Sequence, residues 1–202
     1  VKKNNIKLKA FISASAIGLY GSQTLEKIFK ESDPAHSDFL GETCRLWESS
    51  SNDLKDLNIR IVHLRIGIVL AKKGGALEQM VKPISLGLGS ALGNGKQYMP
   101  WIHIDDLCKM FSDAIENPKI TGPYNAVAPE SVTNENLTKQ IAETLKKTFW
   151  LPNVPAFVLK LLLGEKSTLV LYGSRVSSSK IISTGFRFKY STLREALDDL
   201  LL

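Results

Sequence analysis

Two apolar runs constrain what this chain can become. LKAFISASAIG is almost continuously apolar, with Leu8, Ala10, Phe11, Ile12 and Ala14, and IRIVHLRIGIVLA is dominated by β-branched residues. Runs of this kind, without alternation, suit strands covered on both faces of a parallel sheet. They predict strands over 8–17 and 59–71. Between them, DFLGETCRLWESSS sets Phe39, Leu40, Thr43, Cys44 and Trp47 at helical spacing behind Asp38, a residue able to cap a first turn. Strand, helix, strand in that order is a βαβ unit, and its crossover is right-handed.

The remaining segments extend the pattern. A helix is expected over 76–86, beyond Gly74-Gly75, and the glycine-rich GLGSALGNGKQ then leads into the strand-like MPWIHIDDL. The next helix starts at Asp105 or Asp106, carries Leu107, Met110, Phe111, Ala114 and Ile115 on one stripe, and stops at Asn117-Pro118. GPYNAVAP reads as a short strand, and TNENLTKQIAETLKK as an amphipathic helix resting on Leu137, Ile141 and Leu145. VPAFVLKLLLGE, the most apolar stretch, reads as a core helix. Thr192 and Glu195 form a capping box ahead of Ala196, Leu197, Leu200 and Leu201. The class is α/β: the later half of a Rossmann-like parallel sheet over 1–128, followed by a small, mainly helical lobe over 129–202. No Pro/Gly/Ser-rich linker separates the two, so they are expected to share an interface.

Composition removes several function classes. The net charge is +6, but the 26 Lys and Arg are scattered, and the one dense run lies between Lys2 and Lys9. A nucleic-acid footprint wants a basic stripe on one face, so no nucleic acid is expected as a partner. No apolar run reaches the roughly 18 residues of a membrane span, so no membrane is expected either. Cys44 and Cys108 stand far apart with no Cys-x-x-Cys spacing, which offers neither a disulfide framework nor a zinc site. Both are expected to serve as small hydrophobes within helices, in keeping with a reducing cytoplasm. His36 and His63 have no metal-type partners at useful spacing, and no metal is expected.

SASAIGLYG, DFLGETCRLWE, LRIGIVLAKKGGAL, GLGSALGNGKQYMPWIHIDDL, GPYNAVAPESVTNENL, LLLGE and GFRFKYSTLREAL occur in the order found in one family. Over essentially its whole length the chain resembles an atypical branch of the extended short-chain dehydrogenase/reductases, the NAD-dependent epimerase/dehydratase-like proteins with a C-terminal domain of unknown function. The resemblance implies a Rossmann-type sheet that binds NADP(H), or NAD(H), with the C-terminal lobe closing over a small-molecule substrate. It also implies a glycine-rich turn of the type T-G-A-T-G-F-I-G ahead of the serine strand. None stands ahead of Ser13 here, so the chain is expected to be the later part of a longer protein. Gly87, Gly89 and Gly93 imitate such a turn. They follow a helix and run into Asn94-Gly95, whereas a phosphate turn leaves a strand and opens a helix.

Residue by residue, the resemblance implies that Ser15, with Ser13 as its neighbouring alternative, occupies the catalytic serine position. The tyrosine and lysine of the family's usual proton-transfer pair would fall on Leu40 and Cys44, or on Phe39 and Thr43. Neither pair can lower a phenol from about 10 toward neutrality, because neither contains one. Gly67, Ile68 and Val69 are implied to lie beside the nicotinamide, with Gly67 allowing close approach, and Gln97 and Trp101 to border the substrate pocket. Tyr20 is expected to pack beneath the loop before Gly21, and His103 to be structural. Three functions follow: an NADP(H)-dependent oxidoreductase of the extended short-chain type acting on a small molecule, a nucleotide-sugar epimerase or dehydratase, and a nucleotide-binding regulatory protein with a degenerate site.

Overall fold

The computed structural model describes residues 8–22 and 26–202; Lys2 and Lys3 of the basic run lie outside the described residues. In chain order the first elements are β1 (Ala10–Ala16), β2 (Ile28–Phe29), α1 (Phe39–Ser49), β3 (Arg60–Ile66) and β4 (Ile68–Leu70). Next come α2 (Gly75–Ser85), β5 (Trp101–His103), α3 (Ile104–Glu116), β6 (Gly122–Ala126) and α4 (Asn134–Thr144). The last part holds α5 (Ala156–Leu163), α6 (Thr168–Leu171), β7 (Arg175–Val176), α7 (Ser179–Ser183) and α8 (Leu193–Leu201).

The fold is an α/β arrangement around a parallel sheet of order β1-β3-β6. Ile12 stands opposite Val62, and Leu64 opposite Tyr124. Helix α1 crosses between β1 and β3, as the two apolar runs require. Asp38 caps it by accepting from the Gly41 amide at 2.8 Å. The buried side of α1 is not the expected stripe, however: Gly41 and Cys44 face inward, while Phe39 is 82% exposed. The polar Glu48 continues that inward line with most of its side chain covered.

The run expected as one strand over 59–71 is two strands, and Gly67 divides them. The Gly67 amide donates to the Ala126 carbonyl at 3.1 Å, and the next amide, of Ile68, donates to the Pro100 carbonyl at 2.7 Å. The ladder thus changes partner within one residue, so that β4 pairs with β5 in a separate parallel pair. A β-carbon at Gly67 would meet the Pro100 oxygen at 2.5 Å and Val127 Cγ1 at 2.9 Å. Only glycine fits where two backbones approach this closely.

The cap of α3 falls on a different residue from either aspartate. His103 accepts from the Asp105 amide through Nδ1 at 3.1 Å. Asp105 and Asp106 occupy the first turn, where their charge suits the positive end of the helix. Asp106 is buried, and its carboxylate accepts from the Lys189 and Tyr190 amides at 2.7 and 3.0 Å. Ile115, placed on the buried stripe of this helix by its spacing, is exposed.

The C-terminal part shares a core with what precedes it. Leu70, Leu77, Ile84 and Trp101 pack in one cluster with Leu137, Ile141, Leu193 and Leu197. A second cluster joins Val62, Leu64 and Ile102 to Met110, Ile120 and Ile181. The capping box at Thr192 and Glu195 forms as its spacing predicts. Two other expectations are corrected. Helix α5 is not a core helix, because only Leu159 is buried while Phe157, Leu161 and Leu162 are 72%, 84% and 73% exposed. Cys108 is exposed, and only Cys44 serves as a buried hydrophobe.

Asp106→Ala leaves two buried amides of the C-terminal segment without an acceptor. The expected loss is about 1–3 kcal/mol for each group left unsatisfied, and denaturant unfolding of the variant against the parent measures it.

Candidate functional site

A cleft of about 260 Å³ opens at the carboxyl ends of β1 and β3. That is where open parallel sheets take their ligands. Ile17, Gly18, Gly21, Ser22 and Leu40 line one side, Ile66, Gly67 and Ile68 form the sheet wall, and Tyr98 to Pro100, Thr168, Leu169 and Tyr172 to Ser174 contribute the rest. Among the described residues, none that lines the cleft carries a charge. The break at Gly67 creates this wall: by turning β4 away from β3, it leaves the backbone of residues 66–68 facing open space.

Beneath the strand ends lies a buried polar network. Arg65 gives Nε and Nη2 to the two carboxylate oxygens of Glu48 at 2.8 and 2.9 Å, with 7% of its side chain and 15% of that of Glu48 exposed. Its Nη1 donates to the Tyr20 hydroxyl at 3.0 Å and to the Glu31 carbonyl at 3.1 Å. Tyr20 donates its own proton to Asn125 Oδ1 at 2.7 Å. The Asn125 backbone amide donates to the Glu31 carboxylate at 2.9 Å, closing the circuit. Burial would raise the Glu48 carboxyl, but the hydrogen bonds from Arg65 and Ser15 outweigh it and hold the group below the usual carboxylate range. Burial likewise pushes the Tyr20 phenol up, and Arg65 offsets only part of that.

The structure separates the residues singled out by sequence into three groups. Gly67, Ile68 and Leu40 meet in the cleft wall. Leu40 is one of the two positions at which the resemblance expects the family's tyrosine. Cys44 follows one turn later, its Sγ 3.8 Å from where a β-carbon of Gly18 would stand. Of the two registers, Leu40 and Cys44 face inward, while Phe39 is exposed and the Thr43 hydroxyl is spent on the Phe39 carbonyl of its own helix. Burial pushes the Cys44 thiol up, so it stays protonated.

Ser15, expected at the catalytic position, is buried and donates to Glu48 Oε1 at 2.7 Å, outside the cleft lining. The reason is strand alternation: it lies opposite Arg65 and faces α1 with it. Ser13 gives its hydroxyl to the neighbouring Ala14 carbonyl. Val69 packs against the second core cluster rather than the cleft. Trp101 is fully buried in the first cluster, and Gln97, also buried, donates to the Leu92 and Val170 carbonyls at 3.0 and 2.7 Å. Gln97 therefore braces α6, a wall of the cleft, from behind. Tyr20 packs as expected, stacked on Phe29 at 5.2 Å.

Sequence reasoning missed Tyr98, Thr168 and Tyr172 in the cleft, and Glu48, Arg65, Asn125 and Glu31 in the network. One signal was present. An arginine inside a β-branched run needs a buried partner, and Glu48 lies four residues beyond Cys44 on the inward face. Nothing local marks Thr168 or Tyr172, which reach the cleft from far along the chain. Among the described residues, no group of three or more His, Cys, Asp or Glu is placed to hold a metal ion, and no helix is long and apolar enough to cross a membrane.

Comparison with known proteins supports the fold. Residues 154–200 match a family described as a domain of unknown function (DUF1731). The whole chain is 41% identical to epimerase family protein YfhF of Bacillus subtilis and spans 66% of that protein. The chain belongs to the epimerase family. In three dimensions, 95% of it superposes on 65% of human epimerase family protein SDR39U1, solved with NADPH, with a TM-score of 0.87 at 28% identity. A nucleoside-diphosphate sugar epimerase from Corynebacterium glutamicum gives 0.80 at 30% identity, with 98% of the chain on 38% of that protein. The chain thus spans about two thirds or less of the relatives it matches.

The network can be tested at both of its carboxylate contacts. Glu48→Ala strands the buried Arg65 charge and is expected to cost about 3–5 kcal/mol in denaturant unfolding at neutral pH. Because the folded carboxyl of Glu48 lies below its unfolded value, its stabilising contribution is complete above about pH 4.3 and is lost as pH falls through the folded value. Glu48→Gln is therefore expected to flatten the acid limb of a stability-against-pH curve. Ser15→Ala removes one hydrogen bond from Glu48, with an expected loss of about 1 kcal/mol in thermal or denaturant unfolding.

Proposed function

We propose that the protein is an NADP(H)-dependent oxidoreductase of the extended short-chain type, acting on an uncharged small molecule. The observation that carries this reading is the cleft at the carboxyl ends of β1 and β3, walled by Gly67 and Ile68, faced by Leu40 and free of charge among the described residues that line it. The NADPH in the human relative's structure supports the same cofactor class. A nicotinamide ring fits the lining chemically: it is flat, and the backbone of residues 66–68 together with Ile17 and Leu40 offers apolar faces without competing charge. When bound, the cofactor would supply or accept a hydride.

The chain's own residues bind, shield and deliver protons. Ile17, Leu40, Ile68 and Met99 exclude water from one side of the cleft. Leu40 has no proton to give, and Ser15 has committed its hydroxyl to Glu48. The phenols in the lining are Tyr98 and Tyr172, and the Arg175 guanidinium carbon lies 5.6 Å from the Tyr98 ring centre. General acid catalysis supplies about 10²–10⁴-fold, so a site depending on a phenol outside the usual pair is expected to turn over ordinary carbonyls slowly. A nucleotide-sugar epimerase or dehydratase would need a tyrosine–lysine pair, which α1 lacks. A regulatory, nucleotide-binding role keeps the cleft and drops the chemistry.

With protein made from its complete reading frame, NADPH fluorescence is expected to change saturably at micromolar concentrations. Ile68→Asp, which sets a carboxylate in the wall, is expected to weaken that binding about tenfold or more. No saturable change with the parent protein, or unaltered affinity in a folded Ile68→Asp variant, would reject the reading.

A further inference from the structure

A groove of about 390 Å³ lies at the amino ends of β3 and β6, the opposite end of the sheet from the cleft described above. Ser49 and Asn52 form one wall, Ile61 and His63 the floor, and Thr121 and Pro123 the facing wall. Its volume falls in the range of small-molecule sites, roughly 300–1,000 Å³. Parallel strands are ordinarily covered on both faces. Here the chain leaves the sheet face after the last turn of α1, and the surface carrying Ile61 and His63 opens into the groove.

Two polar groups at the groove are set by the fold. Ser51 spends its hydrogen on the Glu48 carbonyl at 2.9 Å, so His63 Nε2, 3.2 Å from the same hydroxyl oxygen, is the donor of that pair. The bond holds the imidazole in the floor. The Glu48 carboxylate borders the groove as well. Its Oε1 accepts from Ser15 and from Arg65 Nε, and its Oε2 accepts from Arg65 Nη2. A carboxylate offers about four acceptor positions, so one is left on Oε2.

Charge narrows what could use that position. Arg65 already balances Glu48, and the neighbouring Lys180 gives its ammonium to the Pro123 carbonyl at 2.6 Å. A cation would enter beside two others. An anion would face Glu48, and among the described residues no lysine or arginine lines the groove to offset it. An uncharged N–H donor meets neither penalty and gains a charge-assisted hydrogen bond.

We propose that this groove is a binding site for an uncharged, flat heterocycle that gives an N–H to Glu48 Oε2. Its face would rest on Ile61 and the His63 ring, and a ring carbonyl would accept from the Asn52 amide or the Thr121 hydroxyl, both on exposed residues at the rim. The site stands independently of the nicotinamide reading, because it lies at the other end of the strands.

The chain's three histidines provide the test. His63 lies in the groove floor, His36 stands beside Gly21 at the edge of the cleft, and His103 is buried against the Tyr190 ring. Protein made from its complete reading frame is labelled at its imidazole rings, assigned by His36→Gln and His63→Gln. It is titrated at one fixed pH with 2-pyridone, a flat uncharged ring whose N–H adjoins its carbonyl. The His63 resonances are expected to shift saturably while those of His103 stay in place. 1-Methyl-2-pyridone, which has lost the N–H, is expected to bind about tenfold more weakly, the worth of one hydrogen bond to a charged acceptor. Ser49→Trp, which fills the groove from α1, is expected to weaken 2-pyridone about tenfold, with His103 reporting an intact fold. Should that variant fail to fold, Thr121→Trp, at an exposed position on the facing wall, is expected to do the same. The proposal is overturned if His63 does not move, if His36 moves in its place, if methylating the probe leaves its affinity unaltered, or if a folded variant keeps the parent's affinity.

Discussion

The bidentate pair between Arg65 and Glu48 is the interaction on which the carboxyl-terminal edge of this sheet depends. A guanidinium cannot stand dry at the end of a strand unless its donors are met. Here they are met from three directions: Glu48 of α1, Tyr20 after β1, and the Glu31 carbonyl of the following loop. Removing any partner leaves a charge in a low-dielectric setting, so the three segments are held to one arrangement. Buried pairs of this kind add less to net stability than their geometry suggests, because desolvation offsets much of the attraction. What they do is fix position. The strand ends under the cleft, Ala16 and Ile66, inherit that position from the network.

Gly67 supplies the second constraint. Because one residue carries the ladder from Ala126 to Pro100, the chain leaves the main sheet without a loop, and β5 is drawn alongside β4. That pairing sets Trp101 into the core and brings Tyr98, Met99 and Pro100 to the cleft wall. The glycine is there for the Pro100 carbonyl, and its position beside the cleft is a consequence of the turn it permits. The C-terminal lobe is fastened by similar means, through carboxylates that accept backbone amides: Asp106 for Lys189 and Tyr190, and Glu130 for Leu193. Gln97 fastens α6 through the Val170 carbonyl.

Much of the architecture is legible in the residues. The first apolar run, the Asp38 cap, the amphipathic stripe of Leu137 and Ile141 and the Thr192–Glu195 box are local patterns, and each forms where its pattern stands, while the second run forms as two strands divided at Gly67. The cleft is half legible. Gly67 and Ile68 follow from a resemblance, and Leu40 is one of the two positions it offers for a tyrosine that α1 lacks. Less is legible where spacing alone has to assign a face. An apolar helix such as α5 reads as core, yet its burial depends on what packs against it, and periodicity does not contain that information. His103 takes the cap from the aspartates because its ring nitrogen reaches the Asp105 amide, a matter of backbone direction rather than residue type.

Sequence alone determined the βαβ unit, the parallel class of its sheet, the absence of a tyrosine–lysine pair on α1 and the cap of its first crossover helix. These follow from side-chain size, branching and spacing over a few turns, which act before distant residues meet. Only the tertiary structure decided that Ser15 faces Glu48, that Trp101 is core and Gln97 a brace, and that Tyr98, Thr168 and Tyr172 share a cleft with Leu40. Each of those depends on which face of a strand or helix a remote segment covers. That choice is made by burial of the whole chain at once, and no local pattern carries it.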